Sequence, residues 1–159
     1  MTRTDDIAAR LQAVRNRITA AALDAGRKPE SIQLLAVSKT APAEALRAAL
    51  AAGQDDFGES YLREALGKMA ALEGCACAWH FIGPLQSNKT RKIAERFDWV
   101  HSVDRLKIAE RLSAQRPDRL PPLNVCLEVN VSGEASKAGL RPEDVPALAA
   151  AVSRLPRLH

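Results

Sequence analysis

The sequence predicts an α/β fold built on a parallel sheet, on three observations. Apolar runs of strand length alternate strictly with segments of helical periodicity, about five of each. The first run, Ile32 to Ser38, is almost continuously apolar, as in strands covered on both faces. No Gly-x-Gly-x-x-Gly follows that run and no Gly-x-x-x-x-Gly-Lys-Ser/Thr loop occurs, which removes the main support for a dinucleotide or P-loop fold. A doubly wound sheet and a (β/α) barrel both fit the alternation.

The elements follow in order. Ile7, Leu11, Val14, Ile18 and Ala22 recur at helical spacing, so a helix is expected from Asp5 to about Ala25, capped by Thr4 and stopped by Gly26. After the Ile32–Ser38 strand, a helix from Pro42 to Ala52 ends at Gly53. A short strand, Asp56 to Gly58, leads to a helix from Tyr61 to Leu72. Trp79 to Gly83 reads as a strand, Gln86 to Phe97 as a helix with Ser87 or Asn88 as its cap, and Trp99 to Ser102 as the next strand. Asp104 caps a helix running to about Gln115. Pro121-Pro122 then breaks the chain ahead of the β-branched strand Leu123 to Val131. A loop from Ser132 to Leu140 precedes a helix over Pro142 to Arg154, and Leu155 to His159 opens a further element.

Composition sets the class. With 159 residues, 47% of them apolar, the chain can bury a core and is not disordered. Aromatics make up only 4%, so Ala, Leu, Val and Ile must fill most of that core. The net charge of +4 speaks to a solvated surface more than to a site. No stretch approaches a membrane span, and the polar opening Met1 to Asp6 lacks the apolar core of a signal peptide. Three cysteines, Cys75, Cys77 and Cys126, do not make a disulfide framework or a zinc knuckle. A reducing cytoplasm is the expected setting.

Lys39 is the residue with the clearest chemical meaning. It closes the first strand, just before the helix opened by Ala41-Pro42-Ala43-Glu44. In parallel sheets and barrels that end of the strand faces the active site. An amine held there, partly shielded from water, loses some preference for the charged form and becomes a nucleophile toward an aldehyde. A plain exposed lysine at a strand end is the competing reading.

Four segments carry a resemblance. They are Leu34-Leu35-Ala36-Val37-Ser38-Lys39-Thr40, Phe57-Gly58-Glu59-Ser60-Tyr61, the run from Trp79 to Lys89, and the run from Glu128 to Gly139. In this order they resemble the YggS-like pyridoxal phosphate homeostasis family, which shares the barrel of the alanine racemase N-terminal domain. His101-Ser102-Val103-Asp104 matches as well, and the resemblance extends from about residue 5 to the end. It implies a (β/α)8 barrel of TIM type that binds pyridoxal phosphate (PLP) through one lysine as an internal aldimine, and the matching position is Lys39. It implies a protein that holds, buffers or delivers PLP, with PLP-dependent apo-enzymes as recipients, no established turnover, and a monomer when full length.

The resemblance also frames the other candidates. His80 could lie near the cofactor ring or be a hydrogen-bonded core histidine. Asn130 could point into the barrel mouth or tie down the loop after it. Ser60 stands where the family usually carries Asn, so it keeps an oxygen but loses the amide donors. Lys89, Arg91 and Lys92 read as a solvated face. The family's Ser-Met-Gly-Met-Ser and Gly-Ser-Thr-x-Val-Arg-Ile-Gly segments, expected to grip the phosphate and the pyridine nitrogen, do not occur here. Residues 1–159 are therefore expected to form one partial barrel, C-terminally truncated, with five to six of eight βα units. A racemase-like PLP enzyme is the first alternative, although Tyr61, the one tyrosine, has no evident role as a second base. An RNA or acidic-partner module is the second, and it lacks interleaved aromatics and any nucleic-acid motif.

Overall fold

Five strands, β1 (Ala36–Val37), β2 (Asp56–Glu59), β3 (Ala78–Phe81), β4 (Trp99–Val103) and β5 (Asn124–Leu127), form one sheet in the order of the chain. Every neighbouring pair is parallel. The structure is a computed structural model and describes residues 3–159. Helices α1 (Arg3–Asp24), α2 (Ala43–Ala51), α3 (Leu62–Ala71), α4 (Thr90–Arg96), α5 (Leu106–Gln115) and α6 (Val145–Val152) precede, separate and follow the strands. A doubly wound sheet reverses its strand order at a switch point, whereas a barrel wall adds strands in sequence. The unbroken order β1 to β5 therefore makes this the wall of a (β/α) barrel rather than an open doubly wound sheet.

Leu123 N–H donates to Arg157 O at 2.8 Å and His159 N–H to Leu123 O at 2.9 Å, so Leu158 pairs in parallel beside Leu123. The expected element at Leu155 to His159 is thus the start of a sixth strand on the outer edge of β5.

Side chains alternate between two faces of the wall. Phe57, Trp79, Phe81 and Val100 point to the helices and join Ile93, Phe97, Ile108, Ala109 and Leu112 in one continuous core. Phe81 meets Phe97 edge-on with ring centroids 5.3 Å apart, and Phe57 lies 5.9 Å from Trp79. Arg116 ties the lower rim together, with Nη1 donating to Ala94 O at 2.8 Å and Phe97 O at 2.7 Å. The opposite face carries Gln33, Leu35, Asp56, His80, Trp99 and His101 around a cavity of about 180 Å³.

Several elements are shorter than the sequence suggests, each for a visible reason. The first strand keeps only Ala36–Val37, because the Leu34 carbonyl is taken by Gln54 Nε2 at 2.7 Å instead of by a strand. The fifth stops at Leu127, because beyond it the chain pairs with Leu140 instead: Leu140 N–H donates to Glu128 O and Leu140 O accepts from Asn130 N–H, both at 2.8 Å. In α4 the expected first turn is irregular: Ser87 gives its carbonyl to Thr90 Oγ1 and Arg111 Nε, and no side chain caps the helix. Asp104 pairs with Arg105 and does not cap α5. The final helix is preceded by a 3-10 turn, Pro142–Asp144, and runs only over Val145–Val152. Thr4 lies inside α1 instead of before it, and its side chain is outside the described ones.

Phe81 is 1% exposed and packs edge-on against Phe97 at the end of α4. Phe81→Ala is expected to cost about 3–5 kcal/mol in urea unfolding, read as a lower midpoint at an unchanged slope.

Candidate functional site

The C-terminal ends of β1, β2 and β3 meet along one rim. Ser38 N–H donates to Gly58 O at 2.9 Å and Ile82 N–H to Glu59 O at 2.9 Å, so the ladders run one residue past the strands. Lys39 is the first residue beyond that ladder on β1, and Ser60 is its neighbour on β2. Gly83 closes the rim on β3. A Cβ there would stand 2.2 Å from Ser60 O, so only glycine lets the two strand ends approach this closely.

In the described part of the barrel Lys39 is exposed, as is Val37 beside it at 56%. Among the described residues its amine enters no ion pair. Both of its neighbours, in contrast, are held. Ser38 Oγ donates to Glu59 Oε1 at 2.6 Å, and the Ser38 carbonyl accepts from Lys68 Nζ at 2.7 Å. Thr40 N–H donates to Glu64 Oε1 at 2.6 Å. Thr40 has a φ of 65°, in the left-handed region that a β-branched residue rarely occupies.

These contacts belong to one cluster. Lys68 on α3 is 6% exposed, and its ammonium reaches Glu59 Oε1 at 2.7 Å as well as Glu64 Oε1. Glu59 is fully buried, and its second oxygen, Oε2, has no hydrogen-bond partner among the described residues. The Lys68 ammonium holds the Glu64 carboxyl below its ordinary value despite partial burial, and the Thr40 amide adds to this. Sequence reasoning missed the cluster. Glu64 and Lys68 are spaced i, i+4, a pattern that ordinarily marks a surface pair. The sequence offered as a hint the acidic residue Glu59 directly after the short strand Asp56 to Gly58.

The remaining candidates lie elsewhere. His80 is 5% exposed and sits lower on the wall. Its Nε2 is 2.9 Å from Asp56 Oδ1, its Nδ1 is 2.9 Å from His101 Nε2, and its ring stacks on Trp99 at 5.6 Å. Gln33 Nε2 donates to Asp56 Oδ2 at 2.6 Å and completes the chain. His80 is thus a hydrogen-bonded histidine in the barrel interior. Burial, followed by the neighbouring His80, lowers the His101 pKa below 6.5. Asn130 ties down its loop: Oδ1 accepts Gly133 N–H at 3.0 Å, and Nδ2 donates to Glu134 O at 2.9 Å and Lys137 O at 3.3 Å. Ser60 lines a cleft of about 590 Å³ with Tyr61, Arg63, Phe81, Gln86 and Lys89, and Lys39 is not part of it. Lys39 and Ser60 therefore share the rim, at the ends of β1 and β2, while the hydrogen bonds of His80 and Asn130 lie in the interior and in the loop after β5.

Comparison with known proteins places the fold. Residues 8–159 match the family model described as alanine racemase, N-terminal domain. A pyridoxal phosphate homeostasis protein from Pseudomonas aeruginosa is 67% identical over 153 residues, covering 96% of this chain and 66% of the relative. One of the same description from Escherichia coli is 54% identical over 158 residues, covering 98% and 68%. The chain thus spans about two thirds of the length of these curated relatives. PipY of Synechococcus elongatus, solved with PLP bound, superposes with a TM-score of 0.80 at 40% identity, over 96% of this chain and 66% of that one. Alanine racemase from Corynebacterium glutamicum shares the fold, with a TM-score of 0.66 at 17% identity over 96% of this chain and 41% of that one. Among the described residues no helix is long and apolar enough to cross a membrane.

Two pH effects are expected. The native Glu64 carboxyl has a lowered pKa, so its contribution is present above the ordinary value of 4.5 and is lost as pH falls through the native value. The Thr40 amide resonance should therefore titrate with a midpoint below 4.5; a midpoint at 4.5 contradicts the contact. His101 is held neutral in the folded state, so the unfolded chain binds its proton first and stability falls as pH drops below 6.5. His101→Gln should flatten unfolding midpoints between pH 7 and pH 5 relative to the parent chain.

Proposed function

The chain belongs to the alanine racemase N-terminal domain family, and from that premise we propose that it is part of a protein that holds and releases PLP, with Lys39 as the point of covalent attachment. One observation carries the reading. Lys39 presents an exposed amine, outside any ion pair among the described residues, at the C-terminal end of β1, while the residues on either side are fixed to α3 and β2. A primary amine on an anchored backbone fits the aldehyde end of the cofactor. The named relatives and the PLP-bound neighbour support that choice of ligand.

Bound PLP supplies an aldehyde that condenses reversibly with an amine and releases one water. The residues of this chain divide the remaining work. Lys39 must give up its proton to act as nucleophile. Ser38 and Thr40 hold the backbone from which it projects. Ser60 offers a hydroxyl at the same rim, at the end of β2. His80 takes no part at the rim, because both its ring nitrogens are engaged in the interior.

Holding and handing on the cofactor to apo-enzymes is favoured over racemisation. A racemase needs a second base across the ring from the lysine. The chain's one tyrosine, Tyr61, is 59% exposed at the start of α3 and lines the outer cleft. The basic surface gives no comparable support to a nucleic-acid role.

In the intact protein, Lys39→Ala should abolish the yellow absorbance of bound PLP and the borohydride-trapped adduct while leaving helical circular dichroism unchanged. Retention of either signal assigns attachment to another lysine. Accumulation of D-alanine or D-serine on long incubation with the L-amino acids would favour the racemase reading.

A further inference from the structure

We infer that Lys68 with its two carboxylates, Glu59 and Glu64, is a positioning cluster that sets the aim of Lys39. The inference rests on Lys39 being the attachment residue and assigns it a support that lies in the next βα unit.

Three observations carry it. The first is where the cluster's bonds end. They reach the main chain or hydroxyl of Ser38 and the amide of Thr40, the two residues bracketing Lys39. The side chain of Lys39 stays exposed. The second is the backbone at Thr40. A left-handed, β-branched residue persists only where its surroundings enforce that conformation. Here the Glu64 carboxylate holds its amide. The third is that stability alone does not explain the cluster. Lysine and glutamate are rarely buried unless paired, and a buried ion pair is often no more stabilising than an apolar pair of the same volume. Lys68 is nonetheless buried, and Glu59 keeps an oxygen without a partner. An apolar pair could fill the space but could not bind the Ser38 carbonyl and the Thr40 amide together.

The geometry gives the cluster a direction. Glu59 closes β2, and Lys68 lies two turns along α3. The ammonium thus joins a strand end, a helix and the β1–α2 loop at one point. With both sides of Lys39 fixed, its amine samples fewer directions, and less freedom remains to be lost when it bonds to a ligand. Ser38, Glu59, Glu64 and Lys68 are positioning residues in this scheme, since they act through Lys39.

Glu64 is the residue to change, because it is half-buried and can be removed without stranding a buried charge; removing Lys68 would leave Glu59 buried and unpaired. The test uses the intact protein and its Glu64→Ala, Glu64→Gln and Lys39→Ala variants. Two quantities are read: amide exchange at Thr40 without PLP, and the borohydride-trapped adduct mapped to Lys39 as PLP is titrated. Glu64→Ala should speed exchange at Thr40 and raise the PLP concentration for half-trapping about tenfold, the scale of one lost charge-assisted hydrogen bond. Adducts on exposed lysines such as Lys107 should not change. Glu64→Gln should restore both readouts, because its amide oxygen still accepts the Thr40 N–H. Should Glu64→Ala loosen Thr40 yet trap at Lys39 as the parent does, the positioning role is overturned. The same holds if Glu64→Ala and Glu64→Gln lose trapping equally. Persistence of the adduct in Lys39→Ala instead overturns the attachment reading, whatever Thr40 exchange shows.

Discussion

Because each strand pairs in parallel with the one before it, the chain must travel back along the outside of the wall between strands, and helices α2 to α5 take that path. Parallel pairing also puts every strand's C-terminal end on one rim. The other features follow from this. The helix-facing residues must be apolar, as Phe57, Trp79, Phe81 and Val100 are. The rim must be made of βα loops, and Lys39 and Ser60 are found there. The single-file strand order brings residues distant in sequence, such as Ser38 and Lys68, into hydrogen-bond contact.

The interior face shows what the wall does with polar groups away from the rim. Gln33, Asp56, His80 and His101 form a chain of hydrogen bonds across four strands or strand approaches. Each member has a partner, which keeps the cost of partial burial small. Such a chain is sensitive to proton count. His80 can offer one ring nitrogen to Asp56 and the other to His101, and charging both imidazoles would set two cations side by side. The lowered pKa of His101 expresses its burial first and this crowding second. Burial and the neighbouring His80 thus both favour the neutral form of His101.

How much of this was legible in the sequence depended on the range of the interaction. The βα alternation was legible because it is local: apolar runs and helical spacing need no partner. The barrel was not separable from a doubly wound sheet on periodicity alone, since strand order is a property of pairing; the resemblance supplied what the pattern could not. Strand lengths were overestimated where a side chain or loop displaced a ladder bond, as Gln54 does at Leu34 and Leu140 does at Asn130. Lys39 was legible as a strand-end amine, but its exposure was not, because exposure depends on which faces of the wall are covered. His80 and Asn130 were left open between two roles by the sequence; in the structure His80 bonds across the interior and Asn130 bonds within its own loop, contacts that only pairing and loop closure create.

Lys68 marks the limit of sequence reading. In the helix Leu62–Ala71 it stands four residues after Glu64, and any surface-charge argument places it in solvent. What turns it inward is Glu59, a fully buried carboxylate at the end of β2, whose charge could not remain there unpaired. The two charges thus require each other, and neither can be explained from its own element. Once both are buried, the remaining donors of the ammonium have to be met, and the Ser38 carbonyl and the Glu64 carboxylate meet them. The same bonds that settle this internal charge problem also fix the backbone beneath Lys39. A structural demand and a functional one are met by a single set of contacts, so separating them takes a substitution at the half-exposed member, where the fold has least at stake.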